Sequence, residues 1–156
     1  MKEDILEITP KIIKDLKKRT LASKNSRFRL CMHHSNSDQT QEMIIVFHKG
    51  TFMPPHRHPK GKSESYHIIE GAMIVYFFND EGKVIKEIEM GSINHNKTCV
   101  YRLSNSIWHM PLPVTEWLVY HETYSGPFEK SYDVEFPVWA PKEEDKNEVK
   151  RFLAAL

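Results

Sequence analysis

Gly50-Thr51-Phe52-Met53-Pro54-Pro55-His56-Arg57-His58 is the stretch whose reading decides the fold. Two histidines two apart on extended backbone project to the same side, so His56 and His58 converge on one point. The next strand-like run opens with Glu64, whose carboxylate can reach that point, and His109 in Ser106-Ile107-Trp108-His109 brings a third imidazole from a later strand. Neutral imidazoles plus a carboxylate suit a divalent first-row transition metal. The spacing predicts one such ion on His56, His58, Glu64 and His109, with positions left open for substrate or water. These ligand types accept Fe, Mn, Zn, Ni, Co or Cu alike.

Outward from this motif, Arg27 to Tyr124 reads as short runs rich in Val, Ile, Phe, Tyr and Met, divided by turn residues at sandwich or barrel intervals. About eight strands are predicted, among them 27–33, 42–48, 64–70, 72–78, 83–90, 98–103 and 115–124. The run Ala72 to Phe78 is apolar at every position, so both its faces should be covered, by a second subunit or by a terminal helix. If Glu64 faces the interior, Tyr66 and Ile68 do too, and Ser65, His67 and Ile69 face away. Tyr120, Glu122 and Tyr124 share one face of the last strand.

Both ends read as helices. Thr9 can cap, Pro10 suits the first helical position, and Ile12, Ile13, Leu16 and Leu21 recur at near-helical spacing. At the other end Pro141 is placed for a helix start, acidic residues follow it, and Val149, Phe152, Leu153 and Leu156 form an apolar stripe. The chain is read as one domain, 1–156: a helical segment 1–24, a β core 27–125, and an extension with a helix 126–156.

The 156 residues are 40% hydrophobic and 28% charged, with 6 Gly and 9 Pro, which excludes disordered and low-complexity classes. A net charge of +1 argues against a nucleic-acid partner. The longest apolar run is too short to cross a bilayer, so no membrane partner is expected. Cys31 and Cys99 make no disulfide framework, and with no basic-then-apolar leader they predict a reducing, cytoplasmic setting. No phosphate-binding Gly loop, nucleophile elbow or Cys-x-x-Cys is present.

At the metal motif the sequence resembles the cupin superfamily. Gly50, His56, His58, Glu64 and Gly71 fill the places of its first motif in order, and His109 fills that of the second, where the usual Pro and Gly are replaced in Ser104-Asn105-Ser106-Ile107-Trp108-His109. Within the superfamily the chain is similar to the WbuC-type metalloproteins, small proteins found with bacterial surface-polysaccharide biosynthesis genes. That likeness runs from Arg27 to Pro141 and includes Pro55-His56-Arg57-His58-Pro59, Asp80-Glu81-Gly82, Gly126-Pro127 and Trp139-Ala140-Pro141. The resemblance implies an all-β cupin jelly roll with short N- and C-terminal helices, the metal inside one end of the barrel, and a homodimer.

Tyr66, Glu122 and Tyr124 are the candidate catalytic groups, able to move protons beside the metal. Arg27, Arg29 and Arg57 are candidate anion clamps, since guanidinium binds phosphate bidentately, and Trp108, beside His109, is a fourth candidate substrate contact. The leading expectation is an isomerase- or epimerase-type step on a small sugar or nucleotide-sugar, the polysaccharide setting coming from the resemblance alone. An iron-dependent oxygenase and a non-catalytic, metal-dependent ligand-binding or sensor module stay open beside it.

Overall fold

The computed structural model describes residues 5–156; positions 1–4 of the expected N-terminal helical segment lie outside the described residues. The elements run α1 (Pro10–Ala22), β1 (Arg27–Cys31), β2 (Thr40–His48), β3 (Glu64–Glu70), β4 (Ala72–Phe78), β5 (Val84–Gly91), a 3-10 turn, β6 (Val100–Leu103), β7 (Trp108–Pro113), β8 (Trp117–Ser125), α2 (Lys130–Asp133) and α3 (Lys146–Ala154). The strands form two antiparallel sheets, ordered β1-β2-β8-β3-β6 and β5-β4-β7. This is the jelly-roll sandwich that the strand-rich pattern and the cupin motifs imply.

Alternation along each strand divides the apolar residues among three layers. Met43, Ile45, Phe47, Tyr66, Leu118 and Tyr120 of the larger sheet meet Met73, Val75 and Phe77 of the smaller one in the central core. Ile44, Val46 and Val119 face outward, where α1 covers them with Leu16, Ile12 and Ile13. Tyr76, Phe78, Trp108 and Met110 face outward from the smaller sheet, and α3 covers them with Val149, Phe152 and Leu153, joined by Leu156 just beyond its end. The apolar strand β4 is thus enclosed by the chain's own C-terminal helix. That strand and the apolar stripe of α3 cover each other.

Three details depart from the sequence expectations. The closing helix starts at Lys146, not at Pro141, because Asp145 is its cap, accepting from the Glu148 N–H at 3.0 Å. Leu21 is exposed, and Thr20 takes the buried position, its hydroxyl donating to the Leu16 carbonyl at 3.0 Å. In β3 the pairing with β8 shifts between Ile68 and Glu70, so the alternation from Glu64 holds only through Ile68. Beyond that bulge Glu70 lies outward and pairs with Lys17 of α1 at 2.6 Å.

Candidate metal centre

His56 and His58 lie on the irregular segment before β3. His56 is fixed by a reciprocal backbone bridge to His109 of β7, with N–H to carbonyl distances of 3.0 and 2.8 Å. Phe77 of β4 is paired with His109 on the other side, and that pairing turns His109 into the sandwich while Trp108 faces out. Three side chains from two distant parts of the chain are thereby brought together. One nitrogen from each of His56, His58 and His109 lies within 4.8 Å of the others, and all three residues are buried.

The second ring nitrogens explain the orientation. His56 Nδ1 is 3.1 Å from the Pro54 carbonyl, His58 Nδ1 is 2.6 Å from that of Asp133, and His109 Nδ1 is 2.9 Å from that of Ile107. A carbonyl only accepts, so each Nδ1 carries a proton and donates it. In a neutral ring each Nε2 then presents a lone pair toward the centre. Glu64 adds its carboxylate from the first residue of β3, with Oε2 at 3.1 Å from His58 Nε2 and Oε1 at 2.9 Å from His109 Nε2. His109 Nε2 is fully enclosed and makes no hydrogen bond. Electron-rich nitrogens facing a carboxylate in a buried space call for a positive charge between them. A proton or a metal cation meets that need, and three imidazoles with one carboxylate form a donor set suited to a divalent transition metal.

The electrostatics follow from this crowding. Burial pushes Glu64 upward, but the charges of the adjacent His109 and His58, with the hydrogen bond to His58, outweigh it and hold the carboxyl well below the usual carboxylate range. Burial acts downward on His58, yet its hydrogen bond to Glu64 and the Glu64 charge raise it overall. His56 has no such contact, and burial together with its two histidine neighbours lowers it to about 3. Glu64 is also held by two hydroxyls, Tyr101 donating to Oε1 at 2.8 Å and Tyr66 to Oε2 at 3.2 Å.

Of the candidate catalytic groups, Tyr66 is buried and faces inward, with its hydroxyl engaged by Glu64. Tyr124 packs its ring against His58 at 4.6 Å and donates to Asp133 Oδ1 at 2.6 Å. Glu122 is cross-strand from Tyr66 and Met43 on the inner face. Burial, then the Glu64 charge, pushes it up to about 8, so it holds a proton at neutral pH. His67 is exposed and faces away from the centre.

The candidate substrate contacts separate. Arg27 is committed to Glu143, at 2.8 and 2.9 Å, and to the Phe52 carbonyl. Arg57 is engaged by Glu135 at 2.7 and 3.0 Å and stacks 4.0 Å over Trp108. Trp108 itself lies on the outer face of β7, donating to Asp80 at 2.9 Å, because consecutive strand residues point to opposite sides and His109 takes the inner one. Arg29 is exposed, takes no part in an ion pair among the described residues, and shares the inner sheet face with Glu122, whose titration it lowers. Sequence reasoning missed Tyr101 and Asp133. Tyr101 alternates with Leu103 but shows its role only once β6 is paired with β3, placing it opposite Tyr66. Asp133 has no signal in the sequence, since it meets His58 from 75 residues away.

The architecture is shared with solved cupin-fold structures. Protein SO0799 from Shewanella oneidensis is similar with a TM-score of 0.58 at 12% identity, over 72% of this chain and 74% of that one. CapF in complex with 3-isopropenyl-tropolone gives 0.57 at 16% identity, over 70% and 31%. Oxalate oxidase in complex with the substrate analogue glycolate gives 0.53 at 12%, over 74% and 57%. The chain therefore spans about half of that oxidase and a third of CapF, and the likeness is one of fold. The protein is a cupin-fold chain with a buried three-histidine group able to hold a metal. Residues 8–90, more than half of its length, match the family described as a domain of unknown function, DUF6016, and the chain belongs to that family. The matched stretch contains His56, His58 and Glu64 but ends before His109. No curated protein matches the sequence.

Proposed function

We propose that the chain is a metal-dependent cupin that moves a proton on a small anionic substrate, of the sugar or nucleotide-sugar type, in bacterial surface-polysaccharide assembly. The observation that carries the metal part is the common orientation of the three rings, each Nδ1 donated to a backbone carbonyl and each Nε2 directed at the centre beside Glu64. The sugar and polysaccharide part is supported by the resemblance to WbuC-type proteins.

A divalent cation bound there supplies Lewis-acid polarisation of a substrate oxygen. The chain's own residues then divide the remaining tasks. Tyr66 and Tyr101 donate to Glu64 and keep its carboxylate ionised and fixed. Glu122, protonated at neutral pH and inward-facing, is suited to give or take a proton beside the substrate. Arg29, which pairs with no carboxylate among the described residues, is suited to meet the anionic part of the substrate.

The test has two stages. Protein purified without chelator should contain one divalent transition metal per chain, and His58→Ala should lose most of it; full metal in a His56→Ala/His58→Ala variant overturns the metal reading. Keto-sugar nucleotides incubated with the loaded protein in deuterium oxide should exchange the hydrogen next to the carbonyl, read by NMR. Absence of exchange together with oxygen consumption would replace the isomerase reading by an oxygenase one.

A further inference from the structure

The chain from Gly126 to Val138 runs beside His56 and His58, and a buried carboxylate is among the groups that tie it down. Asp133, at the end of α2, is 1% exposed. Its Oδ1 accepts from the Tyr124 hydroxyl at 2.6 Å and stands 3.4 Å from Lys62 Nζ, and its Oδ2 accepts from the Glu129 N–H at 2.6 Å. Lys62 also donates to the carbonyls of Ser125 and Pro127, at 3.1 and 2.6 Å. Two residues on, Glu135 exchanges backbone hydrogen bonds with Arg57, both 3.1 Å, and Phe136 places its ring 6.4 Å from that of His56.

The three histidines depend on this strap unequally. His56 and His109 donate Nδ1 to carbonyls two residues before themselves, contacts internal to their own segments. His58 alone donates to a carbonyl outside its neighbourhood, that of Asp133, at the shortest of the three distances, 2.6 Å. Its orientation therefore requires the strap to be docked, and docking requires the donors around the Asp133 carboxylate. A buried carboxylate without them would be expelled toward water and carry its backbone with it.

We infer that Asp133 is a positioning residue for the metal centre: its buried carboxylate clamps the 126–138 strap so that its own carbonyl orients His58 with Nε2 toward the other ligands. This rests on the metal reading above, since it assigns a partner that steers a ligand. Such outer partners change metal affinity when removed, typically by about 10–100-fold.

Two readouts test it. In the metal-free protein, His58 should show a slowly exchanging, downfield-shifted Nδ1 proton by NMR. That proton should be lost in Asp133→Ala, while the corresponding protons of His56 and His109 persist. Zinc affinity, measured by chelator competition, should weaken about 10–100-fold in Asp133→Ala and less in Asp133→Asn, which keeps an acceptor for Tyr124 but turns an amide toward the Glu129 N–H. If Asp133→Ala does not fold, Lys62→Met and Tyr124→Phe each remove one donor and should each weaken zinc binding several-fold. A folded Asp133 variant that retains the His58 proton and wild-type zinc affinity overturns the inference, even if its melting temperature falls. The metal reading fails separately: wild-type protein would then bind no zinc, and the His58 proton in the metal-free state would still decide the role of Asp133.

Discussion

Gly50 and Gly71 open and close the first metal motif, and both have positive φ, +86° and +78°. They differ in what surrounds them. A Cβ at Gly50 would meet nothing within 4 Å, whereas one at Gly71 would lie 2.0 Å from the Trp117 carbonyl oxygen. Gly50→Ala should therefore cost only the left-handed backbone, about 1–2 kcal/mol, and Gly71→Ala should add a backbone overlap, for about 3–5 kcal/mol in urea unfolding. Equal costs would mean that the β3–β4 turn can move away from β8. Glu122 gives a second prediction at this scale. Its carboxyl is raised to about 8 in the folded protein from an ordinary value of 4.5. Between those values the native state holds a proton that the unfolded chain has lost, so this contribution to stability falls as pH rises. His56, lowered to about 3, acts in the opposite sense on the acid side, so the comparison must be made against Glu122→Gln, which stays neutral throughout. Metal-free Glu122→Gln should match the wild type near pH 5 and melt higher than it near pH 8.5. A constant difference across that range would remove the assignment of Glu122 as a partly buried, protonated acid.

Among the elements, α1 shows where a sequence pattern suffices and where it does not. Ile12, Ile13 and Leu16 recur on the face that meets Ile44, Val46 and Val119, but Leu21 continues the pattern only in composition, since the helix has turned it into solvent by its last turn. Leu16→Ala should cost about 2–5 kcal/mol by leaving a cavity, and Leu21→Ala less than about 0.5 kcal/mol. A large loss at Leu21 in chemical denaturation would show a covering surface beyond the chain. The strands were legible because alternation and turn residues are local signals. The bulge after Ile68 was not, because it arises from the mismatch of β3 with β8, a relation between strands. The late start of α3 is similar: Pro141 and Asp145 are both good N-terminal residues, and only the docking of Val149 and Phe152 on Tyr76, Phe78 and Trp108 selects the second.

For the molecule as a whole, the centre joins segments that the sequence holds far apart. His56, His58 and Glu64 could be grouped from spacing, and His109 from its motif, because those residue types carry their chemistry in their identity. Tyr101, Asp133 and the engagement of Arg27 and Arg57 could not, since each depends on which strand or strap lies beside it. That long-range assembly makes metal binding a property of the folded state. The three Nε2 atoms meet only when β7, the segment before β3 and the strap are all in place, so a divalent ion binding there stabilises the fold by mass action. At a free concentration 100 times its dissociation constant the gain is about 2.7 kcal/mol, which for a chain of this size raises the melting temperature by about 5–10 °C. Competition from protons should shrink this gain as pH falls, because the ligating rings must be neutral. Chelator should abolish the shift in the wild type, and His58→Ala or His109→Ala should show little shift at any pH. A metal-induced shift that survives His109→Ala unchanged would place the ion elsewhere in the molecule.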